Sequence, residues 1–397
     1  MKFDTIKLSE LAAIQTGPFG SQLHKEDYVV HGTPIVTVEH LGSRKFTEQN
    51  LPCVSDKDKE RLKKYVLKTG DIVFSRVGSV DRCSYVSAEY EGWMFSGRCL
   101  RVRPCENLNP EYLYYFFLLE ETKQFVRNIA TGATMPSINT KFMGEIPIRV
   151  PSLDAQNKIA SILWMIDDKI ELNKKINKNL EQQAQAYFDE LFVVNADPNW
   201  SECTLSDIGS VVAGGTPSKS KPEYYADQGI AWITPKDLSV NKSKFISHGE
   251  NDISELGFSK SSAAKMPAGT ILFSSRAPIG YIAIAQNEVT TNQGFKSVIP
   301  NENIGTAYLY FLLKNLLPTI EGMASGSTFK EISGSAMKSV PTVMPDADTI
   351  QLFSSFCEPV FKEQEILEAE NQRLSALRDS LLPKLMSGEL DVSDIEL

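Results

Sequence analysis

Two stretches of the chain repeat apolar residues at steps of four and three for longer than an ordinary surface helix does. The first runs through Ile159, Leu163, Ile166, Ile170, Asn173, Asn177, Leu180, Ala184, Tyr187 and Leu191. The second runs through Phe353, Cys357, Val360, Gln364, Leu367, Asn371, Leu374, Arg378 and Leu381. That spacing predicts two coiled-coil seams. The second is rougher, with Phe356, Ile366 and Leu377 offering further apolar contacts. Elsewhere the pattern shortens. "GDIVFSR" (Gly70–Arg76) and "GTILFSSR" (Gly269–Arg276) are β-branched runs opened by glycine, which predicts buried strands. "GTPIVTVEHL" (Gly32–Leu41) and "GIAWITPKDL" (Gly229–Leu238) read as strands leading into loops. "NPEYLYYFFLLEETKQFVRNIA" begins with Asn109 as N-cap and Pro110 at the first helical position, and predicts a helix.

These elements occur twice in one order, and self-similarity of this kind decides the architecture. "LSELAAIQTG" (Leu8–Gly17) matches "LSDIGSVVAG" (Leu205–Gly214), and "NPEYLYYFFL" (Asn109–Leu118) matches "GTAYLYFLL" (Gly305–Leu313). "IPIRVP" (Ile146–Pro151) matches "VPTVMP" (Val340–Pro345), and "ATGATMPSIN" (Ala130–Asn139) matches "ASGSTFKEIS" (Ala324–Ser333). The expected fold is α+β, with two similar mixed-sheet domains, residues 1–152 and 197–346. They alternate with two long helices, 153–196 and 347–397, forming an antiparallel coiled coil under an internal pseudo-two-fold repeat. In that arrangement Asn177 and Asn371, at equivalent repeat positions, are expected to meet near the axis and fix the register. The plain alternative leaves each asparagine facing solvent at a frayed seam. The "ATGATMPSIN" loop suits a tight turn where each domain closes, through Ala324, Gly326, Thr328 and Ile332 in its second copy. A DNA backbone contact from Thr131 or Thr134 stays open there.

Length and composition agree with a two-domain globular protein: 397 residues, 42% hydrophobic and 23% charged. No apolar run reaches the roughly 18 residues a membrane helix needs. The opening "MKFDTIKLSELAAIQTG" lacks the apolar core of a signal peptide, so the expected compartment is the cytoplasm, with no membrane partner. The six cysteines (Cys53, Cys83, Cys99, Cys105, Cys203, Cys357) form no CxxC pair and the four histidines (His24, His31, His40, His248) no HExxH. Free thiols and no metal are expected. The net charge of −9 argues at first against nucleic acid. By segment, residues 1–150 carry 20 Lys+Arg against 18 Asp+Glu, while 351–397 carry 4 against 10. The acid is concentrated in the helical stretches, which leaves room for basic faces on the domains.

Catalytic chemistry finds little support. "NPEY" (Asn109–Tyr112) approaches the target-base loop of a methyltransferase, but its repeat counterpart "GTAY" drops Asn-Pro, and helix capping accounts for both residues. "GGTPSKSK" (Gly214–Lys221) lacks the spacing that cradles phosphates. No paired-carboxylate or Ser/His constellation stands out.

"PSINTKFMGEIPIRVPSLDAQNKIASILWMIDDKIELNKKINKNLEQQAQAYFDELF" (Pro136–Phe192) and "ENQRLSALRDSLLPKLMSGELDV" (Glu370–Val392) resemble the helical regions of type I restriction–modification specificity subunits. "GSQLHKEDYVVHGTPIVTV" and "GGTPSKSKPEYYADQGIAWITPKDL" resemble entry segments of that family's two target recognition domains. The resemblance covers essentially the whole chain. It implies a non-catalytic subunit without cofactor. This subunit holds two DNA-reading domains on one duplex and recruits two methyltransferase subunits, to which restriction/translocase subunits add. A helix of about 36 residues is about 54 Å long, so an antiparallel pair would act as a rigid spacer between the readers.

Base edges are read chiefly by Arg, Lys, Asn, Gln and hydroxyl side chains. In the first domain the candidates are Ser21, Gln22 and Lys25, then Glu39, His40, Arg44 and Lys45, then Arg76 and Ser79, with Arg98 and Thr131. Repeat matching nominates Ser218, Lys219 and Lys221, then Lys236, Lys242 and Lys244, then Arg276, Gln293 and Lys296. The plain alternative for each cation is a solvated surface charge, and "KDKERLKKY" (Lys57–Tyr65) reads as such a face. Two other functions stay in view. The first is a stand-alone DNA methyltransferase or nuclease, of which the methyltransferase would bind S-adenosylmethionine, and the second is a coiled-coil scaffold, which would show no DNA sequence preference.

Overall fold

The glycine-led apolar runs become central strands in both halves, and the two halves are wired alike. The computed structural model describes residues 2–132, 134–326 and 330–396. It divides into two compact units: Met1–Ile170 with Arg373–Leu397, and Glu171–Gln372. In the first unit Ile72–Ser75, fully buried, lies between Cys99–Pro104 and Cys83–Tyr85, with Ala12–Thr16 outside Cys99–Pro104, all antiparallel. In the second, Ile271–Ser275 lies between Lys296–Pro300 and Ile279–Ala285, with Gly209–Ala213 outside Lys296–Pro300. One extra short strand, Phe245–Ile246, joins Ile279–Ala285 in parallel.

A second sheet repeats just as closely. Tyr28–Val29, Cys53–Val54, Thr33–Val36 and Met94–Phe95 follow in that spatial order, the last pair parallel. Tyr225–Ala226, Asn251–Ile253, Ile230–Ile233 and Thr290–Thr291 reproduce both order and sense. A two-stranded ribbon closes each domain, Asp4–Lys7 with Pro147–Val150 and Ser201–Thr204 with Pro341–Met344. The repeat is therefore structural down to strand polarity, in an α+β, mixed-sheet fold.

Asn109 caps its helix through a 2.8 Å bond from the Tyr112 amide. The single helix expected over 109–130 is in fact two, Pro110–Leu118 and Glu120–Ile129. The break falls at Leu119, whose backbone turns extended (ψ 135°) while its side chain stays buried. The long helices, here α1 (Leu153–Asp189) and α2 (Ala347–Ser387), run antiparallel. In the second unit Asn173 on α1 donates to Asn371 (3.0 Å) and Glu370 (2.7 Å) on α2. In the first unit Arg378 on α2 donates to Asp167 on α1 at 2.8 Å. Asn177 does not meet Asn371. It donates to Glu368 at 3.3 Å, and Asn173, one helical turn earlier, takes its place. Sequence repetition equates positions on the two helices but leaves the level at which they cross to the packing around them.

Both helices complete the domain cores. Ile159 and Leu163 of α1 and Leu382, Leu385 and Met386 of α2 pack with Leu113 and Phe117 in the first unit, with Leu381 partly buried beside them. Ala184 and Phe188 of α1 and Phe353, Cys357 and Val360 of α2 pack with Tyr308 and Phe311 in the second, with Leu180 at the margin. Ile170 and Leu367 are buried, and Ile166 and Leu374 half-buried. No helix among the described residues is long and apolar enough to cross a membrane.

Phe188 sits within 6 Å of the ring centroids of Phe192, Tyr308, Phe311 and Phe353. Phe188→Ala is expected to cost the second unit about 3–5 kcal/mol, read by chemical denaturation, because so enclosed a site cannot collapse around the void.

Candidate nucleic-acid interface

In the first domain four loops converge at one end of the sheets. Gly17 lets the first loop leave its strand tight against the 95–98 arm, since a Cβ there would stand 2.1 Å from the Ser96 carbonyl oxygen. Arg76, at the end of the buried strand, ties the loops together. Its Nη1 donates to the Gly97 carbonyl at 3.1 Å, and its guanidinium lies 5.6 Å over the Phe19 ring. Its backbone amide donates to the Arg98 carbonyl (2.8 Å) and its carbonyl accepts from Ile138 (3.0 Å). The signature loop is a small β-bridged closure, with Thr131 and Ser137 exchanging backbone bonds and Gly78 donating to Pro136 at 2.9 Å. Ser21, Lys25, Ser79, Arg98, Thr131 and Thr134 are exposed on these loops. Gln22 is partly committed, accepting the Tyr65 hydroxyl (2.5 Å) on its side chain and Arg61 (2.8 Å) on its backbone.

The second domain builds the same junction from different chemistry. Gly214 again permits the close approach, at 2.0 Å from the Asn292 carbonyl for an added Cβ. Thr216 donates to Gln293, and the Trp232 indole N–H holds the Gly215 carbonyl at 3.0 Å. The matching arginine of the sequence repeat stands one place further along. Ser275 accepts from the Ile332 amide (3.1 Å) where Arg76 accepts from Ile138. Arg276, bridged to Glu331 as Val77 is to Ser137, faces the Glu331 carboxylate at 3.4 Å, with Lys296 at 3.7 Å from it. Ser325 and Glu331 close the second signature loop by the same bridge. Thr328 of that loop lies outside the described residues. Ser218 is exposed and shares a 2.9 Å contact with Ser220, and Lys219 projects beside them. Sequence reasoning missed Phe19 and Met135, exposed by 59% and 62% on the first domain's loops, as well as Thr216 and Glu331. An apolar side chain within a Gly-Pro-Phe-Gly turn was the available signal for Phe19.

A family model described as "Type I restriction modification DNA specificity domain" matches residues 1–182 and again 198–376. The chain belongs to this family. The HindI specificity subunit of Haemophilus influenzae is 26% identical, over 84% of this chain and 89% of its own length. The MjaIX specificity subunit of Methanocaldococcus jannaschii is 40% identical over 46% of this chain and 44% of its own. The crystal structure of a type I system S subunit from M. genitalium shares the fold at TM-score 0.64 and 17% identity, covering 97% of this chain and 96% of that one. The duplicated match coincides with the duplicated junction: this is a DNA-specificity subunit with two recognition domains, and its work is recognition rather than catalysis.

Several residues nominated as DNA readers serve the specificity subunit elsewhere. Arg44 turns to α1, where its guanidinium bonds Asp168 at 2.6 Å and covers the Trp164 ring at 4.5 Å. Lys244 is buried. Its Nζ bonds Glu181 of α1 (2.8 Å) and Gln364 of α2 (2.9 Å) and lies 3.5 Å from the Phe361 ring centroid. The Lys244 and Phe245 amides both donate to Glu368 of α2. These two cations are pins between domain and helix, which a lysine or arginine in a loop does not announce by itself. His40 is also interior, with Nδ1 accepting from the Thr37 amide (3.0 Å) and Nε2 facing the Gln49 carbonyl (3.2 Å). Glu39, exposed, accepts from the Thr37 hydroxyl at 3.1 Å. Lys45 pairs with Glu89 and Lys236 with Glu250, both at 2.5 Å. Lys221 and Lys242 lie over Tyr224 and Tyr281.

Burial pushes the Lys244 ammonium down to about 8, against the upward pull of Glu181. Burial works to raise the Glu181 carboxyl, yet Lys244 and Lys314 together hold it below its ordinary value. Below pH 8 the folded and unfolded chains both carry the Lys244 proton. Between about 8 and the ordinary 10.5 the unfolded chain holds a proton the folded unit has released, so stability rises with pH. The unfolding free energy is expected to climb across that window, and Lys244→Met to flatten the climb in denaturant titrations run from pH 7.5 to 10.

Proposed function

We infer that the chain reads a bipartite, asymmetric double-stranded DNA target, one half-site per domain, for a type I restriction–modification complex in the cytoplasm. The paired helices are the seat of two methyltransferase subunits, with restriction/translocase subunits added to them. The carrying observation is one loop junction built twice on strand wiring that matches save for one short edge strand, with different side chains. Arg76 stands with Phe19 and Arg98, whereas Arg276 stands with Glu331 and Lys296, and Gln293 takes the Thr216 hydroxyl. Like junctions whose arginines stand one residue apart, with unequal donors and acceptors around them, suit two different half-sites.

Support for the helical seat comes from apolar side chains left facing outward: Met165, Leu172 and Ile176 on α1, and Leu352, Phe356, Ile366 and Leu377 on α2. Lone surface leucines are ordinary, but stripes along two paired helices suit partner subunits. Residues 1–152 and 197–346 would be the two target recognition domains, and 153–196 and 347–397 the helical spacers between them.

In a complex reconstituted with its methyltransferase partner, Arg76→Ala is expected to relax discrimination at one position of one half-site, and Arg276→Ala at one position of the other. Each should cost about 1–3 kcal/mol against the preferred base, measured by competition binding over randomised duplexes. Equal weakening on every sequence in both variants would remove the assignment. The isolated chain, at net charge −9, should bind DNA weakly, and tight, steeply salt-dependent binding would contradict that. Calorimetric titration of the isolated chain with S-adenosylmethionine should give no binding heat, and a saturable isotherm would restore the enzyme reading.

A further inference from the structure

The first domain carries a basic face that its twin lacks. The segment after Ser55 forms a short helix, Asp56–Arg61, and a turn, Lys63–Tyr65. Leu62, Tyr65 and Leu67 anchor it in the core around Val36 and Phe95. Its remaining cations, Lys57, Lys59, Lys63, Lys64 and Lys68, lie on the outer side. Beneath them opens a depression of about 510 Å³ in which Lys59, Lys63, Lys64, Lys68 and Arg103 face only Asp56 and Glu60. Lys63 pairs with Glu60 (3.0 Å) and Arg103 with the buried Asp71 (2.6 Å). Among the described residues, Lys59, Lys64 and Lys68 form no ion pair, while Arg61 chiefly and Lys57 in part hold the neighbouring Asp58 carboxyl below its ordinary value. Arg101, 6% exposed, braces the face from below by donating to the Lys64 carbonyl at 3.2 Å.

Internal repetition makes the comparison sharp. Ser55 and Ser254 cap equivalent helices, and Gly70 and Gly269 end the equivalent segments, 199 residues apart throughout. At that offset Lys57, Lys59, Lys63, Lys64 and Lys68 become Leu256, Phe258, Ser262, Ala263 and Pro267. Paired strands equate Val102 with Val298, so Arg101 and Arg103 become Ser297 and Ile299. The fold does not require these charges, since the second copy keeps only Lys260 and Lys265 across the segment, Lys265 in a 3.1 Å pair with Glu288. Uncompensated like charges repel and cost stability unless an anion sits among them. Position says which anion. Arg61 and Tyr65 of this segment hold both ends of Gln22, on the loop read above as facing DNA.

We propose that the Lys57–Lys68 face grips the DNA backbone next to the half-site read by the first domain, and that the second domain has no such grip. The inference rests on the DNA-reading function above. Phosphate contacts of this kind add affinity and hold register without selecting sequence. One recognition domain thus supplies most of the chain's own backbone attraction.

The test uses the complex with its methyltransferase partner and the variant Lys59→Ala/Lys63→Ala/Lys64→Ala. Lys59→Gln/Lys64→Gln serves as a milder second variant, and Arg101 and Arg103 are left in place. The slope of log affinity against log salt should fall by about 2–3 for three lost phosphate contacts, with weaker binding at about 0.1 M salt. The ratio of target to scrambled affinity should stay as in the wild type. Wild-type slope and affinity in both variants would overturn the proposal while leaving the reading function intact. So would loss of subunit assembly with unchanged DNA binding per assembled complex, which would mark a protein-docking face. ATP binding lost in the variants with the DNA slope unmoved would place a free nucleotide there instead. A wild-type complex without target preference would take down the function and this inference together.

Discussion

Neither recognition domain can close its core without the helices. The strongly apolar helices Pro110–Leu118 and Thr306–Asn315 have six and seven buried residues, too many to be covered by the small sheets alone. The uncovered side of each is met by a stretch of α1 and a stretch of α2. That shared wall explains why the seam positions next to the domains are wholly apolar, such as Leu163 and Phe353. The buried polar residues Asn173 (through its amide N–H) and Gln364 of the seam, and Asp167 beside it, hydrogen-bond across the helices or to a domain. A buried polar group without partners would cost more than the packing around it returns.

The pins follow from that wall. The first domain sends Arg44 to the helices and the second sends Lys244, with Lys314 on the same Glu181 carboxylate at 2.6 Å; Arg44 and Lys244 are not alike. Arg44 sits over an indole, 4.5 Å from its ring centroid, and takes one carboxylate, a pairing that suits a guanidinium. Lys244 is a point charge surrounded by aromatic rings, held by Glu181 and Gln364. One scaffold thus fixes its two domains by different chemistry, as it gives their loop junctions different chemistry.

Most of the fold was legible in the sequence because it is written twice. Heptad spacing gave the helices, and matched segments such as Gly70–Arg76 and Gly269–Arg276 gave equivalent strands. Legibility ended where an outcome hangs on a partner distant in the chain. Whether Asn177 or Asn173 meets Asn371 depends on the level at which two helices cross. Whether Arg44 or Lys244 points outward depends on Asp168 and Glu181, more than 60 residues off in the second case. The candidate site divides along the same line. Arg76 and Arg276 lie at the junctions because they extend a buried strand whose end is fixed, whereas lysines in the longer loops settle against whichever carboxylate or ring comes near, as Lys236 and Lys242 do.

The division of the chain into units has a bearing on how it acquires its shape. The second unit is one continuous segment, Glu171–Gln372, whereas the first needs Arg373 onward, including Leu382, Leu385, Met386 and Val392, to seal its interior. A ribosome delivers the first unit's sheets early and its last wall late. The domain born first is therefore finished last, and its apolar helix Pro110–Leu118 must wait, shielded by incomplete packing or by chaperones, until some 250 further residues have been made.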